Sequence, residues 1–133
     1  MDVVDIVLAD YAVIDNRGKF TAVGAGFTDI RTRILPCIHP LMFIILRVKI
    51  LKKDMGAHRI GIQIVGEKGR ILKADLNLNI GNNHIDQKII SLTTRFEKIK
   101  FDLAGVYNID VLVNGQIKYC QNLSISYEPK QNL

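Results

Sequence analysis

The feature that most constrains this chain is a period of two in its apolar residues. From Tyr107 the odd positions read Tyr107, Ile109, Val111 and Val113, and the even ones Asn108, Asp110, Leu112 and Asn114. Successive side chains of an extended strand point to opposite faces, so this spacing predicts a half-buried strand. Asn114-Gly115 follows, a pair whose members both accept positive φ and so close a two-residue hairpin. Ile117, Tyr119, Leu123, Ile125 and Tyr127 then alternate with Lys118, Cys120, Asn122, Ser124 and Ser126.

The signature recurs upstream. Ile60, Ile62 and Ile64 alternate with Arg59, Gly61 and Gln63, and Glu67-Lys68-Gly69-Arg70 reads as a turn. Leu72, Ala74, Leu76, Leu78 and Ile80 complete a second hairpin, which ends in the loop Gly81-Asn82-Asn83-His84. A third hairpin is expected from Ile6–Ile14 and Phe20–Ile30 around Asn16-Arg17-Gly18-Lys19, with Gly24 and Gly26 marking a bulge or a close backbone approach. Pro36 and Pro40 bracket a loop. Leu41 to Leu51 is nearly continuously apolar and fits a central strand, and Lys88 to Phe101 carries Ile90, Leu92, Thr94 and Phe96 on one parity. About eight strands and no helix predict an all-β fold, a single antiparallel β-sandwich of about 7–9 strands. A chain of 133 residues is one domain by length, spanning 1–133, with 128–133 as a frayed tail.

Composition removes several classes. With 48% hydrophobic and 23% charged residues the chain is not of the disordered kind. No run approaches the roughly 18 apolar residues of a membrane helix, so no membrane partner is expected. The formal charge is +5, but the cations are scattered, and Lys52-Lys53 and Lys98-Ile99-Lys100 are the tightest groups. A nucleic-acid footprint normally forms a stripe or a longer run. Met1 is followed by Asp2 and Asp5 where a secretory signal would carry lysines, so a cytoplasmic location with Cys37 and Cys120 reduced is expected.

Leu8-Ala9-Asp10-Tyr11-Ala12, Asn16-Arg17-Gly18-Lys19-Phe20 and Val23-Gly24-Ala25-Gly26-Phe27-Thr28 resemble the opening of an uncharacterised family of short bacterial proteins. The resemblance continues through His39-Pro40, an apolar strand holding Arg47, Gly56-Ala57-His58, the Glu67–Arg70 turn, Gly105-Val106-Tyr107 and Asn114-Gly115. It covers nearly the whole chain and implies an immunoglobulin-like sandwich with no established activity. The chain departs from the family pattern in charge, since Lys52-Lys53 stands in a loop that is often acidic elsewhere. Gly105-Val106-Tyr107 also looks like the tyrosine corner of immunoglobulin-like domains, in which the Tyr hydroxyl bonds back to upstream backbone. Asp102 sits one residue too far from the glycine to match that motif fully.

The chemistry-bearing residues are sparse. His39, His58 and His84 show no metal-ligand spacing, and no metal or cofactor is expected. All three fall in expected loops. His39 precedes Pro40, so its backbone is biased to extended, and the bond between them is a candidate for the cis form. Gly24-Ala25-Gly26 is a fragment of a dinucleotide fingerprint without the third glycine or the helix. Asp15, Asp54 and Asp86 stand one to a loop, too thin for calcium. No nucleophile elbow or phosphate loop occurs, and no catalytic residue is assigned. His39, His58 and Arg47 are the candidate ligand-binding residues. Tyr107, Gly105, Asn114, Gly115, Gly24 and Gly26 are given structural roles. The two apolar faces of Leu41–Leu51 imply either a central strand or a face covered by another subunit, the best hint of a homo-oligomer. The expected function is a non-catalytic binding or structural module that self-associates. The alternatives are a weak basic-surface nucleic-acid binder and an enzyme with a His/Asp loop site.

Overall fold

The computed structural model describes residues 1–81 and 87–129. Among the described residues ten strands run in order: β1 (Asp2–Ala9), β2 (Tyr11–Ile14), β3 (Phe20–Val23), β4 (Asp29–Thr32), β5 (Cys37–Leu51), β6 (Gly56–Gly66), β7 (Gly69–Ile80), β8 (Gln87–Phe101), β9 (Gly105–Val113) and β10 (Gln116–Tyr127). One 3-10 turn, Lys52–Asp54, joins β5 to β6, and no α-helix occurs among the described residues. The strands form a three-stranded sheet β1-β5-β8, a five-stranded sheet β4-β10-β9-β6-β7, and a separate β2-β3 hairpin. The fold is all-β with several sheets.

The two C-terminal hairpins follow the alternation. Asn114 (φ +50) and Gly115 (φ +86) make the β9–β10 turn in the geometry that matches strand twist. Glu67-Lys68 links β6 to β7, and β8 covers the stretch from Lys88 to Phe101. The N-terminal third departs from expectation. The strand expected over Ile6–Ile14 is bent at Asp10 into β1 and β2, and β1 pairs with β5 while β2 pairs with β3. The strand expected over Phe20–Ile30 stops at Val23, so Gly24 and Gly26 lie in the connection to β4. There β4 pairs parallel with β10, Asp29 opposite Ser124, so the sheets are not wholly antiparallel. A parallel neighbour comes from a distant segment and leaves no turn signal in the sequence.

The main core lies between the two larger sheets. Ile6 and Leu8 of β1, with Met42, Ile44, Leu46 and Val48 of β5, pack against Ile60, Ile62 and Ile64 of β6 and Ile109, Val111, Leu123 and Ile125 of β9 and β10. At about 25 cal/mol per Å² of apolar surface, burial of such residues is the main favourable term in folding. The odd positions of β5 form a second cluster: Phe43 and Ile45 pack with Ala9 and Ala12, and Ala22 covers them from β3. The second apolar face of this strand is therefore covered by the chain's own β2-β3 hairpin. That removes the reason for expecting a subunit on Phe43 and Ile45.

Strand β5 begins at Cys37, four residues earlier than the sequence implies, and runs through His39 and Pro40. Cys37 and Met42 both reach the core although their odd separation would send them to opposite faces. The partner strand does the same, with Phe96 and Ile99 both buried around Lys98, whose φ is +52. Pro40 has no N–H to give the ladder, so the point where both strands invert their faces coincides with a missing donor. The cis peptide bond is Leu35–Pro36 rather than the one at Pro40. At the far end, Glu128 N still donates to Thr32 O at 2.9 Å, and residues 130–133 of the expected frayed tail lie outside the described residues.

Candidate functional site

The three residues singled out as candidate ligand groups occupy three different places. His58 lies on β6 rather than in a loop, and both ring nitrogens are bonded within the protein. Nε2 donates to Asp54 O at 2.7 Å, and Nδ1 accepts from Asn114 Nδ2 at 3.0 Å. That pairing sets Nε2 as the donor and Nδ1 as the acceptor. Asn114 Oδ1 in turn accepts from Arg59 N at 3.0 Å, so the β9–β10 turn is tied to β6. Asp54 is buried and accepts from Leu51 N at 2.8 Å and from the Met1 ammonium at 3.1 Å. Burial opposes its charge, but those two donors outweigh it and hold the carboxyl below the usual range.

Arg47 is equally committed. Its Nε and Nη2 reach the two carboxylate oxygens of Asp5 at 2.7 and 2.5 Å, a fork-to-fork pair across β1 and β5. The bond from Arg47 holds Asp5 below its ordinary pKa against the effect of partial burial. His39, expected in a loop, sits within β5. Its Nε2 is buried without a hydrogen-bond partner, and its ring lies 6.3 Å from that of Phe27. Burial pushes His39 below the imidazole range, against the pull of Asp10 and a backbone bond at Leu41. His84 and Asp86 lie outside the described residues. Among the described residues no three His, Cys, Asp or Glu side chains are placed to hold a metal ion.

The segments that carried the family resemblance meet in space. Asp10 packs on Gly24 so closely that a Cβ there would stand 2.1 Å from Asp10 Oδ2, and the same corner holds Phe27 and His39. Gly56-Ala57-His58 meets Asn114-Gly115 through the imidazole–amide bond. The Glu67–Arg70 turn meets Gly105-Val106-Tyr107 across a cavity. Elsewhere, Cys120 and Cys37 are free thiols. Burial and the neighbouring Asp110 carboxylate push the Cys120 thiol up, which keeps it protonated and a poor nucleophile.

The cavity between the Glu67–Arg70 turn and Tyr107 is one of several among the described residues. It holds about 250 Å³ between the β6–β7 turn and the β8–β9 loop. Tyr107 forms its floor. The phenol is 6% exposed, donates to Leu103 O at 2.7 Å and stands edge-on to Phe101 at 5.0 Å. Gly66 makes room for the ring, since a Cβ there would stand 2.6 Å from Tyr107 Cε1. Lys68 and Arg70 line the turn side with Glu67 and Ile71, and Asp102, Leu103 and Val106 line the loop side. Among the described residues Lys68, Arg70 and Glu67 have no ion-pair partner, while Asp102 lies 3.8 Å from Lys100 Nζ. Leu103 (40% exposed) and Val106 (61% exposed) turn apolar surface toward water here. The sequence marks the turn and the tyrosine separately as structural features; nothing in it signals that they face each other.

No helix among the described residues is long and apolar enough to cross a membrane. A search of curated proteins finds no match to this chain. Residues 4–126 match a family described as "Family of unknown function (DUF6941)".

Proposed function

We propose that this chain, which belongs to the DUF6941 family of unknown function, is a non-catalytic binding module whose ligand site is the cavity between the β6–β7 turn and the β8–β9 loop. The observation that carries this reading is the fate of the reactive side chains. His58 is bonded at both nitrogens, Arg47 is held by Asp5, and the Nε2 of half-buried His39 is shut away from solvent. General acid–base work needs a titrating group within reach of a substrate, and these groups lie at three separate places in the fold. Loops on a rigid β scaffold are instead a common place for recognition, and the end cavity is built from two of them. The tie from Tyr107 to Leu103 supports reading the scaffold as an immunoglobulin-like sandwich in one domain. The two free thiols support a reducing, cytoplasmic setting.

Titration of the ¹⁵N-labelled protein with a mixed fragment set is expected to move the amide signals of Gly66–Ile71 and Asp102–Tyr107 ahead of all others. Shifts scattered over the surface, or none, would remove the reading.

A second reading, self-association, rests on a different element. Strands β2 and β3 carry no charged residue, expose Tyr11, Val13 and Val23, and join neither larger sheet by strand pairing. An uncharged strand edge is a template for pairing with another chain. Nucleic-acid binding has weaker support. Arg31, Arg47, Arg95, Lys73 and Lys100 each stand beside a carboxylate, which disperses the positive field.

A further inference from the structure

We infer that the end cavity takes a small amphipathic zwitterion, of which an apolar α-amino acid is the simplest representative. The inference rests on the binding-module reading and adds the class of ligand. Three features of the wall carry it. The charges are mixed, because Lys68, Arg70 and Glu67 line the turn side and Asp102, itself 3.8 Å from Lys100 Nζ, lines the loop side. A ligand of one sign would leave half of these groups opposed, whereas one with both an ammonium and a carboxylate answers each. The Arg70 guanidinium offers the forked donor geometry that suits a carboxylate, and Glu67 offers an acceptor for an ammonium. Neither has a partner among the described residues.

The second feature is apolar. Leu103 and Val106 stay partly exposed on the same wall and account for surface that the fold does not bury. A ligand side chain would cover them. The third is size and rigidity. About 250 Å³ lies below the range of drug-sized sites and suits a molecule of roughly a dozen heavy atoms. Tyr107 is fixed by its bond to Leu103 O and by the ring of Phe101, so the floor is preformed. For so few atoms in an open site, a dissociation constant on the order of 1 mM is expected.

Three probes that differ by one group each test the inference: phenylalanine, 3-phenylpropionate without the ammonium, and phenethylamine without the carboxylate. Amide shifts on titration into the whole chain give the affinities. Phenylalanine is expected to bind best, with either deletion weakening it about three- to tenfold, as for a charged hydrogen bond in a partly open site. Arg70→Ala should remove the preference for phenylalanine over phenethylamine, and Glu67→Gln the preference over 3-phenylpropionate. Both side chains are exposed, Glu67 in the turn and Arg70 at the start of β7, so the fold is not at stake. Equal binding of either deleted probe overturns the zwitterion while leaving the cavity as a site. Failure of all three probes, where other fragments still shift the cavity amides, also overturns it. Absence of any shift from any compound overturns the binding-module reading beneath it.

Discussion

At the residue scale, side chains that look chemically able are engaged by their own fold, His58 at both ring nitrogens and Arg47 by Asp5. His39 shows the consequence most directly. Its folded pKa lies below the ordinary 6.5, so the folded state binds fewer protons than the unfolded chain. The stability this contributes is full above pH 6.5 and is lost as the pH falls from there through the folded pKa. Urea midpoints measured from pH 7.5 downward should decline across that window, and His39→Phe should flatten the decline. A decline unchanged in the variant would assign it to other groups. A second prediction concerns the cavity floor. Gly66→Ala places a methyl 2.6 Å from a ring that cannot retreat, and should cost about 1–3 kcal/mol. Tyr107→Phe removes only the bond to Leu103 O and should cost about 1 kcal/mol. Equilibrium unfolding of both variants should rank them in that order. The sequence pointed to Tyr107 through its neighbours in the chain. Gly66 carries no such signal, because its partner lies forty-odd positions downstream and spacing holds no trace of a contact made only by folding.

Strand by strand, legibility follows the range of the interaction that determines each element. Hairpins β6–β7 and β9–β10 are specified locally, by alternation and by turn residues, and both stand where the sequence implies. Asp10 is different. The apolar residues on either side of it keep a strand pattern, yet the chain bends there because Ala9 and Ala12 both turn onto Phe43 and Ile45. Strand β4 has only four residues, and its partner is chosen across the molecule. The apolar run Leu41–Leu51 lies inside the longer β5, and its pattern does not say what covers its second face. The answer, β2-β3, leads to a prediction. This hairpin is held to the sheet by a small cluster dominated by alanines and adds no strand to either sheet, so it should open locally more easily than the core strands. Native-state hydrogen exchange should show the amides of Tyr11–Val23 exchanging well before those of Ile60–Ile64 and Ile109–Val113. Equal protection in both would mean that the hairpin and the core open as one unit.

For the whole molecule, a net charge of +5 and an uncharged strand edge oppose each other. Two copies meeting through β3 bring no like charges opposite at the edge, but their overall fields repel. Screening should therefore strengthen association, because the Debye length falls from about 10 Å at 0.1 M salt to about 3 Å at 1 M. Light scattering behind size exclusion should show the mean mass rising with salt, and Thr21→Lys on the exposed side of β3 should abolish the rise. A mass that stays monomeric at every salt concentration removes the self-association reading. Nucleic-acid binding would move the other way and weaken steeply with salt, so one salt series separates the two.

The pairing of β4 with β10 also bears on how the chain reaches its fold. Ser126 Oγ donates to Asp29 Oδ1 across 97 positions, and the ladder beside it spans a similar separation. A ribosome that has made everything up to β9 has still not supplied the strand on which β4 pairs. The N-terminal segment must spend most of the time of synthesis without its partner, exposing Ile30 and an unpaired backbone edge. Closure of such a distant contact is slow for entropic reasons even when the chain is complete. The two local hairpins need no such wait, whereas β4 can join the five-stranded sheet only once β10 exists.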